Sequence, residues 1–179
     1  GGHTVGKKVA ERLGIPCYDN ELIQKIAEQS GFVEEYIKEE GEHVPQSSWL
    51  ASAFTGWNWN GPSNQDLLWT IQRNIILELA EKESCVIVGR CADFILRDKN
   101  CLRVFIHASM EKRAVRIVNE YGERREAPEQ RLKSKDKRRA SYYRFYTDMK
   151  WGQSQNYHIA LDSGELGLDK CADIICSLY

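Results

Sequence analysis

The residues with the clearest chemical potential open the chain: Gly1-Gly2-His3-Thr4, two glycines and a hydroxyl running into a helical pattern. Val5, Val9, Ala10 and Leu13 recur on one face, and Gly14 marks a stop. A Gly-rich turn that opens a helix gathers backbone N–H groups and the positive end of the helix dipole at one point, which suits phosphate. Thr4 adds a hydroxyl that can reach a phosphate oxygen or a Mg2+ ion. A Gly-Gly remnant of expression is the competing reading, and the stretch alone favours it until the rest of the chain is added. Three further groups share the same chemistry. Gly89-Arg90 directly follows an apolar run, Arg113 and Arg116 lie one helical turn apart, and Asp136 stands three before Arg139 among Lys133, Lys135, Lys137 and Arg138. An i,i+3 Asp/Arg pair is also what a solvated helix face carries. Arginine holds its charge and grips phosphate oxygens in a fork. Phosphoryl transfer asks for such cations and for closure against water more than for covalent chemistry.

Other chemistries find less support. His3, His43, His107 and His158 are dispersed without an HExxH pattern, and the six cysteines show no CxxC or Cys/His ligand spacing. No GxSxG is present. His107 and His158 fall on strand patterns and read as core or rim residues. Tyr142, Tyr143, Phe145 and Tyr146 suit either packing at helical spacing or base stacking.

The elements that must position these groups follow from periodicity. After the first helix, Ile15-Pro16-Cys17-Tyr18 leans to β, and Asp19 is a good N-cap for a helix over Asn20 to Ser30. A short acidic helix is expected from Val33 to Glu40. Residues 41–61 lose all period but hold Trp49, Phe54, Trp57 and Trp59, the mark of a lid or of a flap over the core. Ser63 or Asn64 caps a long helix to about Lys82. Cys85-Val86-Ile87-Val88 has the continuous apolar character of a strand buried on both faces of a parallel sheet. Residues 91–97 look helical, Leu102 to Ile106 is a strand, and Ser109 caps a helix from Met110 to Tyr121. A polar break over 122–127 precedes a helix from Pro128 to about Lys150. Tyr157 to Leu161 is a strand, Asp162-Ser163-Gly164 a turn, and Gly167 to Leu178 the last helix. Strands alternating with helices predict an α/β fold, whose ligands bind beyond the carboxyl ends of the strands.

Composition bounds the answer. With 179 residues, 42% hydrophobic and 28% charged, the chain fits one globular domain. No apolar run approaches the roughly 18 residues that a membrane-spanning helix needs. The cysteines read as reduced thiols and the location as cytoplasmic. The net charge of −1 conceals a basic block, with 13 Lys/Arg against 7 Asp/Glu in residues 111–150 and 12 against 19 elsewhere. One basic block on an acidic chain points to an anionic ligand held at one place, and nucleic acid as partner is not expected.

In order along the chain, these pieces resemble the cytidylate kinases, specifically their cytidylate kinase-like bacterial branch. Gly1 to Leu13 resembles the second half of the family's phosphate loop and its helix. Tyr18-Asp19 resembles the start of the nucleoside monophosphate-binding region, Val86-Ile87-Val88-Gly89-Arg90 the strand whose Arg contacts the CMP phosphate, and Arg103 to Ser109 with Arg113 the strand and helix before the lid. Asp136-Lys137-Arg138-Arg139 is similar to the lid's Asp-x-x-Arg, and Leu161-Asp162-Ser163 to the late strand-turn.

The resemblance implies a P-loop NTPase-like three-layer α/β/α fold with a parallel sheet and a helical lid over about 122–150. It implies a single domain over 1–179, with the first strand missing from this chain. The implied reaction is ATP + (d)CMP → ADP + (d)CDP, with ATP and Mg2+ as cofactors and a nucleoside monophosphate as partner. Arg139, Asp136 and Arg90 would be catalytic, and Gly1, Gly2, His3, Thr4 and Arg113 would hold the donor nucleotide, with Thr4 on the metal. Asp19, Asn20, Arg90 and Asp93 would hold the acceptor.

Several positions depart from the family pattern. Gly2 stands where a Lys grips the donor phosphates, Val88 where an acidic residue precedes Gly-Arg, and Cys91 where an Asp follows it, with Asp93 a possible replacement. Asn20 replaces a Ser, and Leu132 replaces a lid Arg. Two alternatives follow: a kinase-like protein that binds nucleotide as sensor or regulator, and an RNA- or partner-binding module using the basic Tyr-rich helix.

Overall fold

The computed structural model describes residues 1–29, 62–122 and 126–179. The expected helix at 33–40 and the Trp-rich stretch 41–61 lie outside the described residues. In chain order the elements are α1 (Gly2–Leu13), β1 (Cys17–Tyr18), α2 (Asn20–Gln29), α3 (Pro62–Lys82), β2 (Val86–Ile87), α4 (Ala92–Ile95) and β3 (Val104–His107). Then come α5 (Met110–Asn119), α6 (Pro128–Thr147), a 3-10 turn at Ser154–Asn156, β4 (Ile159–Asp162), α7 (Ser163–Leu166) and α8 (Leu168–Ser177). The fold is mixed α/β with short parallel sheets, and the chain divides into two units, Gly1–Ile15 with Leu96–Tyr179 and Pro16–Ile95.

In the first unit, β3 and β4 run parallel, with Val104 opposite Ile159 and His107 opposite Asp162. The apolar face of α1 lies on α8: Val5, Val9 and Ala10 are buried on one helix, Cys171 and Ala172 on the other. Each such buried valine contributes roughly 1.5–3 kcal/mol relative to exposure. Lys8 and Arg12 reach Asp169, and Arg12 also Asp173, along the rim of this contact. Helix α5 starts where Ser109 Oγ accepts from the Lys112 N–H at 3.3 Å, and it packs on α6 through Ala114, Leu132 and Tyr143. Leu132 is therefore a core residue.

In the second unit, β1 and β2 are parallel, pairing Cys17 with Val86 and Tyr18 with Ile87. Asp19 caps α2 by accepting from the Leu22 N–H at 3.0 Å. Leu68, Ile71, Ile75, Ile76 and Leu79 form the buried stripe of α3, and Ile23 of α2 is fully buried.

The strands are parallel as expected but shorter. The run Cys85–Val88 contributes only Val86–Ile87 to the ladder, and its side chains are half-buried. The cause lies in Gly89, Arg90 and Cys91, with φ of 83°, 52° and 55°: three successive left-handed residues turn the chain away after the Val88 N–H bonds Tyr18 O. The expected helix at 91–97 shrinks to four residues for the same reason. The basic helix stops at Thr147, not Lys150. Thr147 Oγ1 donates to Tyr143 O and accepts from the Met149 N–H, while Asp148 adopts a left-handed cap. The expected turn 162–164 opens α7, because Asp162 accepts from the Gly164 and Glu165 N–H groups. The described strands pair two by two, so a single sheet at the centre of three layers is not what the ladders define. Among the described residues no helix is long and apolar enough to cross a membrane.

Candidate functional site

The first unit carries the glycine turn. Its first helical bond runs from the Val5 N–H to Gly1 O at 2.9 Å, so the N–H groups of Gly2, His3 and Thr4 precede the α1 ladder. A Cβ at Gly1 would meet Ser163 Oγ at 2.6 Å, so only glycine lets the turn approach the start of α7 this closely. Gly2 is less constrained, its nearest neighbour being Ile106 Cβ at 3.7 Å. Thr4 points into a polar group. Its Oγ1 accepts from Arg116 Nη2 at 3.1 Å and lies 3.2 Å from the Tyr121 hydroxyl. The Arg116 guanidinium also sits 5.7 Å from the centre of the Tyr121 ring, while its Nε–H is buried without a hydrogen-bond partner among the described residues. The bond from Thr4, with the nearby Arg116, holds the Tyr121 phenol below its ordinary range despite partial burial.

One turn earlier on α5, Arg113 meets Asp136 of α6 in a two-pronged fork, Nη1 to Oδ2 at 2.7 Å and Nη2 to Oδ1 at 2.8 Å. Arg139 Nη1 reaches the same carboxylate at 3.2 Å. Burial pushes the Asp136 carboxyl up, but hydrogen bonds and charge from Arg113, with those of Arg139, outweigh it and leave the group below the usual carboxylate value. The i,i+3 pair of the sequence thus supplies two members of a three-residue cluster that ties α6 to α5.

The second unit carries Asp19, Asn20, Arg90 and Asp93, the residues expected on the acceptor side. Arg90 follows β2 in a left-handed conformation that costs a non-glycine residue roughly 1–3 kcal/mol. The Arg90 Nε–H donates to Asn20 Oδ1 at the start of α2, which fixes the guanidinium beside the helix that Asp19 caps. Strain of this kind persists where surroundings over-determine it. Cys91 is buried, and that burial, with Asp93 nearby, pushes its thiol up to about 12, so it is protonated and not a nucleophile. Asp93 lies half-buried in the first turn of α4.

Within the first unit, Thr4, Arg113, Asp136 and Arg139 come together around α5; within the second, Asn20 and Arg90 do. Lys8, further along α1, is engaged elsewhere, with its ammonium on Asp169 at 2.8 Å. Tyr121 was missed, because a contact between residues 4 and 121 leaves no trace in local periodicity. Thr4 Oγ1 already accepts from a guanidinium, and a cation so close disfavours a magnesium ion on that oxygen.

A family model for the cytidylate kinase-like family matches residues 1–165. The chain belongs to the cytidylate kinase-like family. That membership supports kinase-like nucleotide binding. The chain is also similar to the crystal structure of an uncharacterized protein from Eubacterium ventriosum ATCC 27560, at 33% identity and a TM-score of 0.74, over 99% of this chain and 90% of that one. No curated protein matches it.

Proposed function

We propose that the chain is a nucleoside monophosphate kinase of the P-loop type, transferring the terminal phosphoryl group of ATP to CMP or dCMP. The observation that carries this reading is the Arg113–Asp136–Arg139 cluster, whose Asp136-x-x-Arg139 spacing resembles the family's lid motif. Arg139 would supply positive charge to the moving phosphoryl group from α6, and Asp136 would hold Arg139 and Arg113 in register. Gly1, Gly2, His3 and Thr4 would bind donor phosphates through backbone N–H groups and a hydroxyl. Arg90, with Asp19, Asn20 and Asp93 around it, would hold the acceptor. Helix α6 and the break before it would act as the lid that excludes water. A coupled assay of ADP release with CMP, dCMP and UMP tests this. Turnover with a cytidine acceptor is expected; nucleotide binding without turnover on any acceptor overturns the kinase reading.

A second reading, a nucleotide-binding sensor without efficient turnover, is favoured by Gly2 at the lysine position and by the pairing of Lys8 with Asp169. Micromolar ADP binding with no acceptor-dependent rate would select it.

A further inference from the structure

Among the described residues only Arg113 of the α5 pair meets a carboxylate; Arg116 meets a threonine hydroxyl and an aromatic face, with its Nε–H buried and unpartnered. The electrostatics at Thr4 follow from counting. A hydroxyl oxygen has one proton and two lone pairs. Arg116 takes one lone pair. If Tyr121 donates to Thr4, the second is filled as well. If Thr4 donates to Tyr121, the remaining lone pair sits on an oxygen already facing a cation. Mg2+ binds oxygen at about 2.0–2.1 Å and would be pressed against that guanidinium. A phosphate oxygen meets the opposite field, with an uncompensated guanidinium and two hydroxyls that can each rotate to donate.

We propose that Tyr121 is a positioning residue which, with Arg116, holds the Thr4 hydroxyl as part of a metal-independent subsite for the terminal phosphate of a nucleoside diphosphate. This rests on the nucleotide reading above. The phenol sets where the Thr4 hydroxyl points, and the ring braces the guanidinium from one face.

The test is calorimetric titration of the full chain with ADP and with pyrophosphate, each in excess EDTA and in Mg2+. Wild type is expected to bind both ligands without metal. Thr4→Val and Arg116→Met are expected to weaken binding about tenfold or more in both buffers, as loss of a charge-assisted contact does. Tyr121→Phe keeps the ring and is expected to weaken it about threefold, with Tyr121→Leu worse. Pyrophosphate should also push the Tyr121 phenol up and so reduce its ionisation, read in the near ultraviolet as the difference between wild type and Tyr121→Phe. Binding that needs Mg2+, a Thr4→Val effect confined to Mg2+, or a Tyr121→Phe protein indistinguishable from wild type overturns the proposal. Metal-free, Thr4-dependent binding without turnover removes the kinase reading and keeps the subsite. Turnover with a Thr4 effect seen only in Mg2+ does the reverse, and no binding in either buffer removes both.

Discussion

Arg113 and Arg116 leave the same helix one turn apart and end in opposite electrostatic company. Arg113 is forked onto Asp136, which Arg139 also contacts, so its charge is answered inside the protein. Arg116 is answered by a neutral hydroxyl and the face of an aromatic ring. The difference separates two duties that a basic segment can have. A compensated arginine ties elements together; an uncompensated one keeps its field for a ligand. Net charge and spacing cannot tell them apart, because both side chains carry the same charge at the same helical interval.

The comparison breaks most visibly in a pair of variants. Arg116→Met should reduce ADP affinity by about 10- to 100-fold, roughly 1.4–2.7 kcal/mol, while the melting temperature stays near wild type because the buried Nε–H goes with it. Arg113→Met should do the converse. It strands the part-buried Asp136 carboxylate with only Arg139, and urea unfolding should report a loss of about 1–2 kcal/mol. If both variants lose binding and neither loses stability, the two duties are not separate.

Acid sharpens the same contrast. The Asp136 value is depressed in the fold, so its stabilising contribution is fully present above the unfolded carboxylate value of about 3.9 and is lost as pH falls through the lower folded value. Asp136→Asn should flatten the stability profile in that acid window and leave it unchanged near neutrality in slope. A smaller effect concerns the phenol: Thr4→Val should move Tyr121 ionisation upward, towards its ordinary value, in a spectrophotometric titration. Smallest of all, Lys8→Met should leave thermal stability unchanged within error, since its partner Asp169 is exposed and exposed pairs contribute little.

Much of this arrangement could be read from residue order. Asp19 and Ser109 cap helices as their types require, Pro128 opens α6, and apolar runs became parallel strands. What escaped was set by distant or conformational causes. Nothing local announces that Arg90 and Cys91 take left-handed backbone, so the apolar run before them is longer than the strand it forms. The period of α6 does not say that Leu132 goes inward while Phe145 stays largely exposed. The Asp136–Arg139 interval was visible, but the Arg113 fork that gives it meaning crosses from one helix to another. Tyr121 was invisible as a partner for Thr4, because only the folded chain brings a helix end to a loop more than a hundred residues away.

Gly1 and Ser163 occupy one small volume. A methyl group added at the first would strike the hydroxyl of the second, and Gly164 beside it would strike Lys112, Ala108 and Asp162 if it gained a side chain. An enlargement at Gly1 is therefore expected to be better tolerated where Ser163 is reduced to a smaller side chain. Opposite ends of the chain share a single steric allowance, whichever nucleotide the protein accepts.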